Sequence, residues 1–270
     1  MMMGLNVRKT KFKAYILNGV LAGCGGFLFC LNSFAGDGKL RVMSYNLRFG
    51  EIASMTDIGS YIKSLDADIV ALQECDWDTH RERAPKQNGV KFINELAHET
   101  GMFGIYGKTI DYRGGYYGIG LLSRYPIVRS ERVFLPNIGK KEQRAMLIAD
   151  IQLPDGKIIT YICTHLEVSS AELRLEQVKF IQKKVKSIKN PVFLAGDMNA
   201  EPDSPEMAFL RKGWDDLTNR ELTYSTMKPS MKIDYIYSRK GNGVKLLETS
   251  VCKERLLSDH FPVIADIEME

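Results

Sequence analysis

Five strand-like segments follow one another within residues 103–165, and this crowding restricts the chain to a fold built on extended sheets. They are Phe103–Thr109, Tyr117–Ser123, Ile127–Leu135, Arg144–Leu153 and Ile158–His165. The tetrapeptide Pro154–Lys157 between the last two combines proline, aspartate and glycine, which is typical of a hairpin turn. We therefore expect neighbouring strands in this stretch to pair in antiparallel fashion.

Further strands and a few helices flank this stretch. The remaining predicted strands are Leu40–Asn46, Asp68–Glu74, Val192–Gly196, Ile233–Ser238 and Phe261–Ile267. Apolar residues at helical spacing predict helices over Ile58–Leu65 and Lys91–Thr100, and a third helix that opens at a capping box of Ser169 and Glu172. The pattern predicts an α/β (α+β) fold, with two mixed, mainly antiparallel sheets packed face to face and helices outside.

The first 35 residues have the composition of an export signal. Four basic residues and no acid precede an uncharged stretch, Tyr15–Ala35, which ends in Ser-Phe-Ala before Gly36. This pattern predicts cleavage after Ala35, a signal over residues 1–35 and one folded domain over 36–270, in a periplasmic or secreted protein. Two alternatives are a lipoprotein anchored through Cys24, since Leu21–Cys24 resembles a lipobox, and an uncleaved anchor.

Outside this segment the chain carries no net charge. Of its 37 basic and 33 acidic residues, only four basic ones lie in residues 1–35. Nucleic-acid-binding proteins usually carry a surplus of basic residues that contact phosphates. A nucleic-acid partner is therefore possible but not favoured, and membrane contact is expected only through the N-terminal signal or a lipid anchor. We expect a monomer.

Acidic, amide and histidine side chains recur at the ends of predicted strands. They are Asn46, Glu74, His165, Asp197, Asn199, Asp234, Asp259 and His260. Sites in α/β folds form where strand ends converge. Asp197 and Asn199 are two residues apart, so an extended backbone would point both to one face. Glu74 ends an otherwise apolar run, and a buried carboxylate needs a partner such as a hard cation.

Seven motifs in order resemble the endonuclease/exonuclease/phosphatase superfamily, which includes pancreatic deoxyribonuclease, abasic-site endonucleases, sphingomyelinases and inositol polyphosphate 5-phosphatases. The motifs are Ser44-Tyr-Asn46, Leu72-Gln-Glu74, Gly120-Leu-Leu-Ser-Arg-Tyr-Pro126, Thr164-His-Leu166, Gly196-Asp-Met-Asn199, Ile233-Asp-Tyr-Ile236 and Ser258-Asp-His-Phe-Pro262. The resemblance extends from about Leu40 to Ile267 and implies a four-layer α-β-β-α sandwich.

The resemblance also implies a role for each of these residues. Catalytic roles fall on His260, Asp197, Asp234, His165 and Asn199, substrate contacts on Arg144, Asn199 and His165, and metal ligation on Glu74, Asn46 and Asp259. The implied metal is Mg²⁺, with Mn²⁺ as a substitute. His260 would be the general base or a phosphate contact, oriented by the Asp234 carboxylate.

The expected activity is metal-dependent hydrolysis of a phosphodiester or phosphomonoester by an activated water. The substrate class depends on the predicted loops Cys75–Gly89, Leu135–Glu142 and Asn219–Lys232. They contain no inserted hydrophobic hairpin and no added basic helix, which favours a small phosphodiester, a sugar phosphate or a lipid headgroup. The alternatives are a secreted DNA or RNA endonuclease and, in another class, a non-catalytic binding module on the same fold.

Overall fold

The computed structural model describes residues 38–269, which form twelve strands in two six-stranded sheets together with four α-helices. The two-sheet architecture predicted from the strand pattern is confirmed. The predicted signal over residues 1–35 and the lipidation alternative at Cys24 lie outside the described residues.

The first sheet contains the first four strands together with the last two. From edge to edge its strands are β11 (Val244–Val251), β12 (Val263–Met269), β1 (Lys39–Asn46), β2 (Ile69–Trp77), β4 (Gly115–Ser123) and β3 (Phe103–Tyr112). β1 and β2 are parallel, and every other pairing in this sheet is antiparallel. The first strand of the described chain therefore lies at the centre, paired with the last.

The second sheet repeats this arrangement with one central parallel pair. Its order is β5 (Ile127–Phe134), β6 (Ala145–Gln152), β7 (Ile158–His165), β8 (Val192–Asp197), β10 (Asp234–Arg239) and β9 (Trp214–Asp216). β7 and β8 are parallel, and the other neighbours are antiparallel. The central strands are buried along nearly their whole length because both faces of the sheet are covered.

Helices cover the outer face of each sheet. α1 (Met55–Ser64) and α2 (Phe92–Thr100) share a core cluster with the first sheet, and α3 (Ala171–Val185) and α4 (Pro205–Leu210) share one with the second. Two single 3₁₀ turns lie at Arg48–Gly50 and Pro85–Gln87. Within the described chain, we find no helix with the length and apolar composition that crossing a bilayer requires.

The start of α3 differs from the predicted capping box. The cap is Ser170, whose side chain accepts a hydrogen bond from the Leu173 amide. Ser169 instead donates its hydroxyl to Glu167 at 2.6 Å and lies one residue before the cap. The helix therefore begins one residue later than the capping box predicted.

A third apolar cluster fills the space between the two sheets. Side chains such as Val42, Ile119 and Leu147 interdigitate there, and each contributes about 1.5–3 kcal/mol when fully buried. The four layers are thus helices, sheet, sheet and helices. The four parallel strands β1, β2, β7 and β8 all end at one edge of this sandwich, which we call the carboxyl edge.

Candidate active site

Asn46 joins the two sheets at the carboxyl edge. It is the last residue of β1, and its buried amide nitrogen donates to Glu74 Oε1 at 3.2 Å and to Asp197 Oδ2 at 3.0 Å. Glu74 belongs to the first sheet and Asp197 to the second. A single side-chain amide therefore holds two carboxylates from opposite sheets close together.

Glu74 points into the site because β2 is irregular there. The pairing of β2 with β4 shifts register between Leu72 and Cys75, and Glu74 has a left-handed backbone with φ of 57°. A bulge of this kind turns a side chain out of the regular alternation, at a cost on the order of 1 kcal/mol for a non-glycine residue. The second carboxylate oxygen of Glu74 has no hydrogen-bond donor within residues 38–269.

Asp197 is the buried end of β8 and lies directly across the ladder from Asp234 on β10. Its Oδ2 is 3.5 Å from His165 Nε2 and 3.7 Å from His260 Nε2. Burial raises the pKa of Asp197; the His260 charge opposes this shift, and the Asp234 charge adds to it. Asp197 is thus a carboxylate held close to two histidines.

Asp234 and His260 form a buried pair. His260 Nδ1 is 2.9 Å from one Asp234 oxygen and 3.2 Å from the other. Burial alone would lower the pKa of His260, but Asp234, Asp197 and Glu74 outweigh it and raise the pKa to about 9. The Tyr224 ring lies 4.8 Å from the imidazole, so the ring is held on two sides.

Arg144 fixes the protonation of His165. Its Nη1 is 3.0 Å from His165 Nδ1, and a guanidinium can only donate, so Nδ1 accepts and the ring proton lies on Nε2. Burial, Arg144 and His260 all lower the pKa of His165, which keeps the ring neutral. Arg144 is itself buried, with Glu142 Oε1 at 3.0 Å, and its Nε has no hydrogen-bond partner in the described chain.

Two predicted site residues have other contacts. Asp259 forms an ion pair with the Arg48 guanidinium, and its Oδ1 is 4.0 Å from His260 Nε2. Asn199 lies beyond the end of β8 with φ of 48°, so the expectation of an extended backbone that points Asp197 and Asn199 to one face is wrong. Asn199 instead donates its amide to Leu166 O at 3.1 Å and its backbone N–H to Asp197 at 2.8 Å.

Arg48 is a residue of the site that the motifs did not predict. Its backbone N–H donates to Asn46 Oδ1 at 2.9 Å, and its guanidinium contacts Glu51 as well as Asp259. The one available signal was its position two residues after the Asn46 motif. Arg48 links the first strand to the loop that carries His260.

Acidic side chains are concentrated at the site, where Glu74, Asp197 and Asp234 lie beside His260. Asp197, Asp234 and His260 can each offer a ligand atom within 4.8 Å of the others. Carboxylate and amide oxygens suit a hard divalent cation. The residues therefore fit a metal of the Mg²⁺ class.

Residues 43–260 match the model of the endonuclease/exonuclease/phosphatase family. The chain belongs to that family. Its members generally hydrolyse phosphoester bonds and usually depend on a divalent metal. The chain is also 27% identical over 250 residues to the uncharacterized protein YbhP of Escherichia coli K12, which covers 86% of this chain and 97% of that protein.

Solved structures share the same sandwich. The endonuclease/exonuclease/phosphatase of Bacteroides vulgatus superposes with a TM-score of 0.69 at 21% identity, covering 86% of this chain and 99% of that one. A mannosyl-6-phosphatase of Bacteroides thetaiotaomicron gives a TM-score of 0.69 at 19% identity, covering 84% and 99%. At these identities the likeness establishes the fold.

Proposed function

We propose that the chain is a divalent-metal-dependent phosphoesterase that hydrolyses a phosphodiester or phosphomonoester by attack of an activated water. The observation that supports this is the convergence of an acid–histidine pair, Asp234 and His260, with Asp197 and Glu74 at one buried point between the sheets. Family membership supplies the reaction class. Each of these side chains has a chemical task in that reaction.

We assign Asp197 as the group that accepts a proton from the attacking water. The water oxygen bonds to phosphorus while the ester P–O bond breaks, and the leaving oxygen takes a proton from solvent water. Asp234 holds His260 Nδ1–H, so the ring presents Nε2–H to a phosphoryl oxygen. His165 presents a second donor, because Arg144 fixes its proton on Nε2. Of the two roles predicted for His260, we assign the phosphate contact.

Glu74 and Asn46 are the residues that would hold the metal, since Glu74 has an oxygen without a donor and Asn46 offers an amide oxygen. Asp259, the third predicted ligand, already pairs with Arg48, so we do not include it. A bound divalent cation polarises the phosphoryl oxygen and offsets the charge that develops on it. We propose Mg²⁺, with Mn²⁺ as a substitute.

For the substrate we propose a small phosphodiester, a sugar phosphate or a lipid headgroup. The neutral charge of residues 36–270 and the acid Glu142 beside Arg144 disfavour a polyanionic duplex. A sugar phosphate is compatible with the name of the mannosyl-6-phosphatase that shares this fold. A secreted nuclease is the second candidate within the same reaction class.

The test is a substrate panel with Mg²⁺ or Mn²⁺ and an EDTA control. The panel contains bis-p-nitrophenyl phosphate, p-nitrophenyl phosphate, plasmid DNA, sphingomyelin, phosphatidylglycerol and sugar phosphates. His260→Ala should reduce turnover by on the order of a hundredfold or more and keep the far-UV circular dichroism. His98→Ala, an exposed histidine on α2, is the matched control and should keep turnover.

The results separate the alternatives. Metal-dependent cleavage of DNA alone would replace the proposed substrate with nucleic acid. A folded protein that neither turns over any substrate nor binds the metal would instead support the non-catalytic binding module. Full turnover by His260→Ala would refute the assigned site.

A further inference from the structure

Four of the connections at the carboxyl edge lie next to the site. They are residues 135–144 between β5 and β6, 166–170 after β7, 217–233 before β10 and 252–262 before β12. Three of them join strands whose ends lie beside the site, as the pairings Met146 with Thr164 and Asp234 with Asp197 require, and residues 166–170 lead from β7 to α3. We call these four connections the rim of the site.

Each of these connections exposes a large aliphatic side chain. Met227, Ile138 and Val168 are 82%, 65% and 62% exposed, the three highest values for large apolar side chains in the described chain. Leu256, on the fourth connection, is 49% exposed. Isolated surface apolar residues are ordinary, but the three most exposed ones of the described chain all lie on connections at the edge that carries the site.

These side chains stand on loops that are fixed to the fold. Lys141 Nζ donates to Ser169 Oγ at 2.7 Å and so links the connection that carries Ile138 to the one that carries Val168. The Thr226 amide donates to Asp259 O at 2.9 Å, which ties the Met227 loop to the His260 loop. These hydrogen bonds link the loops that carry the exposed side chains.

Cations lie next to the exposed aliphatic residues. Lys140 follows Ile138 by two residues, Lys228 follows Met227, and Arg255 precedes Leu256. Neither lysine has an ion-pair partner in the part of the chain that the structure describes. Aliphatic side chains that enter the interface and cations that contact lipid phosphates are the two components of binding to an anionic bilayer.

Other partners fit this surface less well. Single-stranded nucleic acids are bound by aromatic side chains that stack on bases, whereas these four positions are aliphatic. The core of a protein–protein interface is typically enriched in aromatic residues and contiguous, whereas this rim is divided among four loops. A bilayer is a partner that contacts all four loops at once and brings its headgroups to the site.

We propose that the rim formed by Ile138, Val168, Met227 and Leu256, with Lys140 and Lys228, docks on an anionic phospholipid bilayer and presents the site to headgroup phosphoesters. The proposal of membrane docking depends only on the residues of the rim. The proposal that lipid headgroups are the substrate depends also on the proposed function. The inference selects lipid headgroups from the three proposed substrate classes. It also adds a membrane contact besides the one predicted for the N-terminal segment.

The experiment is flotation of the full chain with vesicles in EDTA, so that no turnover is needed. The vesicles contain phosphatidylcholine alone or with phosphatidylglycerol. The triple variant Ile138→Ser, Val168→Ser, Met227→Ser should bind phosphatidylglycerol vesicles on the order of a hundredfold more weakly. Its matched control changes three exposed apolar residues at the opposite edge, Phe103→Ser, Val128→Ser and Ile158→Ser, and should bind like wild type.

The contribution of the two lysines to vesicle binding is tested separately. Replacing Lys140 and Lys228 with glutamine should weaken binding to phosphatidylglycerol vesicles by about fivefold for each lysine, and leave binding to phosphatidylcholine unchanged. All variants carry the same N-terminal segment, so its contribution cancels in the comparison. Far-UV circular dichroism checks that each variant is folded.

Two results would overturn the docking proposal. One is a wild-type protein that does not bind phosphatidylglycerol vesicles, and the other is a triple variant that binds them as tightly as wild type. His260→Ala should float with vesicles as wild type does. Vesicle binding without hydrolysis of any phosphoester would support the docking proposal and refute the proposed function. Metal-dependent hydrolysis of a soluble ester without vesicle binding would support the proposed function and refute the docking proposal.

Discussion

The Asp234–His260 pair allows the electrostatics of the site to be tested quantitatively. The imidazole Nδ1 is 2.9 Å from Asp234, and Nε2 faces Asp197 and Asp259 at 3.7 and 4.0 Å. Burial lowers the pKa of His260, whereas Asp234, Asp197 and Glu74 raise it, and the net pKa is about 9 instead of 6.5. The folded protein therefore keeps a proton that the unfolded chain releases near pH 6.5.

The sign of the effect on stability follows directly. Because the folded-state pKa is the higher one, His260 contributes its full stabilisation below pH 6.5 and loses it as the pH rises through about 9. A difference of about 2.5 pKa units, at about 1.36 kcal/mol each, corresponds to roughly 3 kcal/mol of unfolding free energy. Asp234 is the principal source of this stabilisation.

Asp234→Asn keeps the shape and removes the charge. We expect the unfolding free energy near pH 6.5 to fall by roughly 2–3 kcal/mol, and its decline between pH 6.5 and 9 to flatten. Urea unfolding at several pH values in EDTA measures both quantities. Asp111→Asn, an exposed acid paired with Lys108, is the control. If the wild-type and Asp234→Asn curves stay parallel across this range, the pair does not hold the proton on His260.

Three further predictions concern the metal, the phosphate contact and packing beneath the site. Glu74→Gln should move the Mg²⁺ titration of turnover to higher concentration and leave KM at saturating metal nearly unchanged; an unaltered titration would exclude Glu74 as a ligand. Arg144→Met should lower kcat/KM on bis-p-nitrophenyl phosphate by roughly ten- to a hundredfold, since the neighbouring histidine loses the donor that fixes its tautomer; wild-type activity would contradict this. Gly196→Ala places a Cβ 2.0 Å from Thr164 O and should cost more than about 3 kcal/mol in urea unfolding, whereas Gly213→Ala, whose nearest neighbour is a flexible side-chain end, should cost much less.

The long strands could be predicted because their apolar runs are continuous. Ile158–His165 was predicted with the observed bounds. The sequence analysis did not identify β11, because Val244–Val251 is largely exposed and has no apolar alternation. β9 has three residues and α4 has six, and neither is long enough to show a period.

From the sequence, the site residues could be predicted only where they end or flank a strand. Asn46, Glu74, Asp197, Asp234 and His260 were expected to converge because they end or flank strands, and the structure brings them together, while their roles remain predictions. The spacing of residues along the sequence does not show where the backbone adopts a left-handed conformation or a bulge.

Two turns show this limit. The left-handed conformation at Asn199 directs its amide to Leu166 O, and the bulge at Glu74 is set by pairing with a strand some forty residues away. Both depend on tertiary contacts that no local pattern contains.

The pairing of β1 with β12 has a consequence for how the chain folds during synthesis. β1 leaves the ribosome first among the described strands, yet one of its two ladder partners is made last, more than two hundred residues later. Until then β1 presents an unpaired strand edge, and such edges attract intermolecular pairing. The long sequence separation also predicts slow folding after release. Intermolecular pairing therefore competes with folding until residues 263–269 have been made.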